Sequence, residues 1–148
     1  MSATHLSLHC HIVFSTKLRK ACIHPSWKER LYSYMGGTLR GLGCVCEEIG
    51  GTSDHVHELV SFRANHRLSD VVRELKCNSS KWVHESIGNP FFGWQDGYGA
   101  FSVGSSDIEE VKRYIRGQEE HHRVKSFQDE YLDLLRVNDV LYDEKYLW

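Results

Sequence analysis

A chain of 148 residues has room for one domain with a real core, residues 1–148, and two full domains would be cramped. Its hydrophobic fraction of 41% and charged fraction of 26% are those of an ordinary globular protein, and no apolar run approaches the roughly 18 residues of a membrane span. A net charge of −2 argues against general electrostatic adhesion to nucleic acid.

Charge is unevenly spread, however. Residues 1–106 carry 11 Lys+Arg against 9 Asp+Glu, and residues 107–148 carry 7 against 11, so any basic surface is local to the first three-quarters of the chain. The first residues show no charged region followed by an apolar one, and a cytoplasmic location is expected. The five Cys at 10, 22, 44, 46 and 77 form no Cys-x-x-Cys pair, which suits reduced, mostly buried thiols.

His5 to Thr16 alternates and is rich in strand formers. His5, Ser7, His9 and His11 share one face, which could border a pair of histidines at 55 and 57 but is by default the wet side of a sheet. Lys17, Arg19 and Lys20 follow in a short basic loop. Pro25 and Ser26 open a helix over Trp27–Leu42, with Trp27, Leu31, Tyr34, Met35, Thr38 and Leu42 towards the core. Cys44–Ile49 reads as a second strand, turned back at Gly50-Gly51 into a third. Ser69 is the N-cap candidate of a helix reaching about Ile87, with Val72, Leu75, Ser79, Trp82 and Val83 on its apolar side. A strand follows at Tyr98–Val103. Asp107 and Glu110 have capping-box spacing for a helix over Ile108–Arg123. The tail from Phe127 reads as a helix that ends irregularly at Tyr146-Leu147-Trp148 and docks on the body. The order β-α-β-β-α-β-α-α implies an α+β fold, an antiparallel sheet with flanking helices.

The third strand carries His55-Val56-His57. Side chains two apart on a strand share a face, with alpha carbons roughly 6.5–7 Å apart, so both imidazoles can converge on one metal ion. Such a pair is equally compatible with half-exposed strand histidines, and only a second element can decide. Tyr114 and Gln118 supply one: four residues apart on a helix, they share a face about 6 Å apart along the axis. An isolated helical tyrosine is otherwise a packing residue.

Together, His-Ile-Val-Phe-Ser-Thr-Lys at 11–17, Gly-Gly-Thr-Ser-Asp-His-Val-His at 50–57, Trp-Gln-Asp-Gly-Tyr-Gly-Ala-Phe-Ser-Val at 94–103 and Tyr-Ile-Arg-Gly-Gln-Glu-Glu-His-His at 114–122 resemble the HUH superfamily of single-strand DNA nucleases. In particular the chain looks like the single-tyrosine transposases of small bacterial insertion sequences (IS200-like) and their relatives associated with repeated palindromes. The resemblance implies a ferredoxin- or RRM-like HUH fold and a DNA transposase that cleaves and rejoins single-stranded DNA next to hairpins. Tyr114 would be the nucleophile, forming a 5′-phosphotyrosine. His55, His57 and Gln118 would hold Mg²⁺ or Mn²⁺. Family members are homodimers in which the tyrosine helix can complete the partner's site. Lys17, Arg19, Lys20, Arg63, Arg67, Arg73, Lys76 and Lys81 are the candidates for DNA phosphate contacts. A domesticated relative that binds or nicks hairpin repeats, and a non-catalytic nucleic-acid-binding module, are the alternatives. Glu58 stands where the resemblance implies an apolar residue, on the face of Val56; it calls for a local bulge, a cationic partner or a role as an extra metal ligand.

Overall fold

In a computed structural model that describes residues 3–148, the strand His9–Ser15 (β1) pairs antiparallel on both sides. One neighbour is His55–Ser61 (β3) and the other Gly99–Val103 (β4). Val45–Gly51 (β2) pairs with β3, and the sheet order is β2-β3-β1-β4. The helices are Pro25–Gly41 (α1), Leu68–Trp82 (α2), Ile108–Arg116 (α3), Gln118–His121 (α4) and Phe127–Val137 (α5). The fold is the expected α+β arrangement of an antiparallel sheet with flanking helices.

Period-two alternation sorts the sheet into two faces. Ile12, Phe14, Val56 and Val60 form one buried cluster with Trp27, Leu31, Met35 and Leu39 of α1 and Val71, Val72 and Leu75 of α2. On the opposite face Val13 and Phe101 pack against Phe127, Tyr131 and Leu135, the last three from α5. His11, His55 and His57 lie on this second face, so the histidine face of β1 borders the His55/His57 pair and is not the wet side of the sheet.

Several local expectations are corrected. Gly50 and Gly51 end β2 and make no turn; the chain reverses over Thr52-Ser53-Asp54. They are glycines because of what lies against them, α3 over Gly50 and the paired strand β3 beside Gly51. A Cβ on Gly50 would stand 2.2 Å from the Ile115 carbonyl oxygen, and one on Gly51 2.2 Å from that of His55. Gly50 thereby lets α3 lie directly on the sheet. The helix expected over 108–123 breaks at Gly117 (φ −88, ψ 17) into α3 and α4. Asp107 precedes α3 without a side-chain cap hydrogen bond, so no capping box forms. α2 begins at Leu68 rather than after Ser69, and a π turn over Val83–Ile87 extends it to the left-handed Gly88. Tyr34 is 37% exposed, and Tyr32 takes its place in the core. α5 stops at Val137, where Asn138 Nδ2 donates to the Leu134 carbonyl and Asp139 turns left-handed.

Glu58 is fully buried among the α1 and α2 contacts, on the far side of the sheet from the histidines. Neither carboxylate oxygen has a hydrogen-bond partner, and β3 keeps regular register at this residue. Burial pushes its carboxyl up to about 8, tempered by the Lys76 charge, so it is largely protonated at neutral pH. It is therefore no ligand of the histidine site.

Candidate active site

The His55 and His57 side chains are both fully buried, and their orientation is set from behind. His55 Nδ1 lies 2.7 Å from Asp54 Oδ1 and 3.0 Å from Thr52 Oγ1, while Thr52 Oγ1 donates to the same Asp54 oxygen at 2.9 Å. Its ring stacks on Phe127, with centroids 4.4 Å apart. These contacts leave Nε2 facing the site. His57 Nδ1 lies 2.8 Å from His11 Nε2, which likewise turns its Nε2 inward. Imidazoles held this way present a defined nitrogen, as outer partners of metal-bound histidines do. Burial pushes His57 down to about 4 and His11 down to about 3, so both rings are neutral, the charge state in which an imidazole can ligate a metal.

α3 and α4 bring the other two expected groups. Gln118 is buried, with Oε1 3.0 Å from His55 Nε2. Tyr114 is half-buried, and its ring centroid lies 5.7 Å from that of His57. Both residues reach the site of their own chain, and the break at Gly117 falls between them.

Two further groups meet at the centre: His122, which the sequence offered only as the end of the 114–122 motif, with no role given to it, and Glu130, which it did not single out. Glu130, from α5, is 2% exposed. Its Oε1 lies 2.9 Å from His57 Nε2 and 3.1 Å from His122 Nε2. Its Oε2 accepts the Tyr114 hydroxyl hydrogen, and Gln118 Nε2 donates to the same oxygen at 3.1 Å. His122 Nε2 is buried and has no hydrogen-bond partner. Only the acidic helix positions and the His121-His122 pair could have flagged them, and neither pattern carries a spacing that ties it to a strand. Burial by itself would raise Glu130, but hydrogen bonds from His57 and Tyr114 outweigh it and hold the carboxyl well below the usual range. Burial and the neighbouring carboxylate raise Tyr114 above the ordinary phenol value, so its hydroxyl is protonated.

Ligand atoms of His55, His57, His122 and Glu130 all lie within 4.8 Å of one another. Three imidazole nitrogens and one carboxylate oxygen, with the His122 nitrogen beside that carboxylate but making no hydrogen bond, fit a divalent cation.

The eight cationic candidates are dispersed. Lys17, Arg19 and Lys20 sit in the loop after β1, Arg63 and Arg67 between β3 and α2, and Arg73, Lys76 and Lys81 on α2. Arg73 is paired with Asp70 and Glu74. Lys76 Nζ donates to the Gln95 carbonyl at 2.8 Å and to that of Gly97, and so anchors the segment before β4. Among the described residues no helix is long and apolar enough to cross a membrane.

This four-stranded antiparallel sheet with its flanking helices is the fold of the tyrosine transposases. The sequence matches the family described as "Transposase IS200 like" over residues 4–118, and the chain belongs to that family. Transposase function follows from that membership. Among solved structures, a candidate transposase from Deinococcus radiodurans R1 is 18% identical, with a TM-score of 0.64 over 78% of this chain and 94% of that one. A REP-associated tyrosine transposase bound to a REP hairpin is 14% identical, with a TM-score of 0.57 over 78% of this chain and 70% of that one. At these identities the likeness is one of fold. No curated protein matches the sequence.

Proposed function

We propose that this protein cleaves and rejoins single-stranded DNA beside a hairpin, with Tyr114 as the nucleophile. One observation carries the reading: the Tyr114 hydroxyl, the Gln118 amide and the His57 imidazole converge on a single buried carboxylate, Glu130. A tyrosine kept only for packing has no need of a buried anion at its hydroxyl and a row of oriented imidazoles behind it.

His55, His57 and Gln118, joined by His122 and Glu130, are the residues that would hold a divalent ion such as Mg²⁺ or Mn²⁺. When bound, the ion supplies Lewis-acid polarisation of a non-bridging phosphate oxygen. The donor set is richer in nitrogen than Mg²⁺ prefers and suits Mn²⁺ better.

The chain's own groups account for the remainder. Asp54, Thr52 and His11 keep the two strand imidazoles turned inward. Glu130 Oε2 is positioned to receive the Tyr114 proton as the phenol oxygen bonds to phosphorus. The bond from phosphorus to the 3′ oxygen breaks, and that oxygen leaves as a hydroxyl once protonated. The product is a 5′-phosphotyrosine, an ester that retains the energy needed to rejoin another 3′ end without ATP. Hairpin recognition rests on the family and on a fold shared with a hairpin-bound transposase.

The test is incubation with single-stranded hairpin oligonucleotides and Mn²⁺, followed by denaturing electrophoresis. A covalent protein–DNA adduct is expected, absent from Tyr114→Phe. His55→Ala should lose the adduct and retain hairpin binding. An adduct that persists in Tyr114→Phe removes the nucleophile assignment.

A further inference from the structure

Beside the histidine site lies a second concavity that the chemistry above does not use. It has a volume of about 620 Å³ and is formed where the C-terminal segment folds back against the loop after β1. Lys17 and Arg19 come from the loop, Trp94 from the segment before β4, and Lys145, Tyr146 and Trp148 from the tail. Three cations face one acidic side chain there, Asp96. Tyr146 is 76% and Trp148 51% exposed, unusual for large aromatics in a structured segment. The Arg19 guanidinium lies over the Trp148 ring, 5.2 Å from its centroid, and joins loop to tail across the concavity.

The loop pays for this shape. Leu18 and Arg19 adopt left-handed backbone at φ 58 and φ 54, although neither is glycine. Such backbone is disfavoured for a residue with a Cβ, and strain of this kind clusters at binding sites. It is held by the Arg19 amide donating to the Thr16 carbonyl at 2.9 Å and by Thr16 Oγ1 donating to the Lys20 carbonyl at 2.7 Å. The tail is held by Leu147, which packs on the α5 cluster, and by Trp148 against Tyr131.

Its position is as telling as its lining. Ser15, at the rim, is paired across the sheet with His55, so their alpha carbons lie roughly 4.5–5.5 Å apart. The Thr16 amide donates to the carbonyl of Asp54, the residue that orients His55. The concavity therefore opens one strand away from the histidine site.

We infer that this cavity receives an unpaired nucleotide of the DNA strand next to the scissile phosphate, its base stacked on Tyr146 or Trp148 and its phosphate on Lys17, Arg19 and Lys145. The inference rests on the single-strand DNA reading above and adds the place where the strand is gripped. Exposed aromatics interleaved with cations are the means by which proteins hold single strands, since every base has a π face and every linkage a negative charge. A base paired in a duplex is already stacked and does not enter.

The test uses the full chain and two oligonucleotides, a blunt hairpin and the same hairpin with a short unpaired arm. 2-Aminopurine replaces each arm base in turn. Stacking of one base contributes about 1–3 kcal/mol, so the arm should tighten binding roughly 5- to 140-fold, with fluorescence quenched at one arm position. Trp148→Ala and Tyr146→Ala, both at exposed positions, should lose the quench and most of the arm's contribution while binding the blunt hairpin as before. Arg19→Gln should weaken arm binding and lower its salt dependence. An arm contribution unchanged in all three variants, or no quench at any position, overturns the cavity assignment alone. Failure to bind either oligonucleotide overturns the hairpin reading as well.

Discussion

Tyr114 donates its phenolic hydrogen to Oε2 of Glu130, and the other oxygen of that carboxylate lies 2.9 Å from His57 Nε2. One side chain from α5 thus links the nucleophile to the imidazole cluster. Glu130→Gln preserves volume and removes the charge. Loss of a positioned proton acceptor typically costs a factor of about 10²–10⁴, and adduct formation should fall in that range. Mn²⁺ affinity, followed by electron paramagnetic resonance, should fall with it, while far-UV circular dichroism is unchanged. An unaltered adduct rate would relieve Glu130 of this role.

Gly50 sets how closely α3 approaches the sheet. The Cβ introduced by Gly50→Ala meets backbone, the Ile115 carbonyl, and cannot be relieved by rotating a side chain. Overpacking of this kind costs about 1–3 kcal/mol, to be read from the urea midpoint, and adduct yield should drop because Tyr114 and Gln118 are displaced with the helix. Gly117→Ala is the matched control. Its new Cβ stands 3.4 Å from the Arg113 carbonyl, an ordinary contact, and stability should stay within about 1 kcal/mol of the parent.

Glu58 makes stability depend on pH. Its carboxyl moves from an ordinary 4.5 to about 8 in the folded protein, so the folded state holds the proton more tightly. Between these values unfolding releases the proton. The contribution is fully present below pH 4.5, is lost as pH rises towards 8, and levels off above. Glu58→Gln should flatten this slope and stabilise the protein at pH 8 by on the order of a few kcal/mol. Denaturation curves across pH 5–8 provide the measurement; an identical slope in the variant would assign the pH dependence elsewhere.

Tyr114 and Gln118 lie within reach of the His55 and His57 of the same chain. A mixture of His55→Ala and Tyr114→Phe proteins should therefore form no covalent adduct. Adduct recovered on mixing would mean that two subunits exchange their tyrosine helices to build a shared site.

Much of this molecule was legible before any coordinates. Strand alternation and helical spacing are local properties, and they located all four strands and the principal helices. The His55/His57 pair was legible for the same reason, since residues two apart on a strand must share a face. Helical spacing singled out Tyr114 and Gln118 as well, but they lie on either side of the break at Gly117, one on α3 and one on α4. Gly50-Gly51 misled because a glycine demanded by a helix crossing overhead, as at Gly50, or by a close neighbouring strand, as at Gly51, looks the same in sequence as one demanded by a turn.

The tertiary structure alone decided which side of β1 would be buried and which distant groups would meet. His11 became the partner of His57 because α3 and α5 cover that face of the sheet. Glu130, seventy-three residues from His57, entered the site because Phe127, Tyr131 and Leu135 dock α5 against Val13 and Phe101. Contacts between residues far apart in the chain are set by packing between elements, and no spacing rule along a single element encodes them.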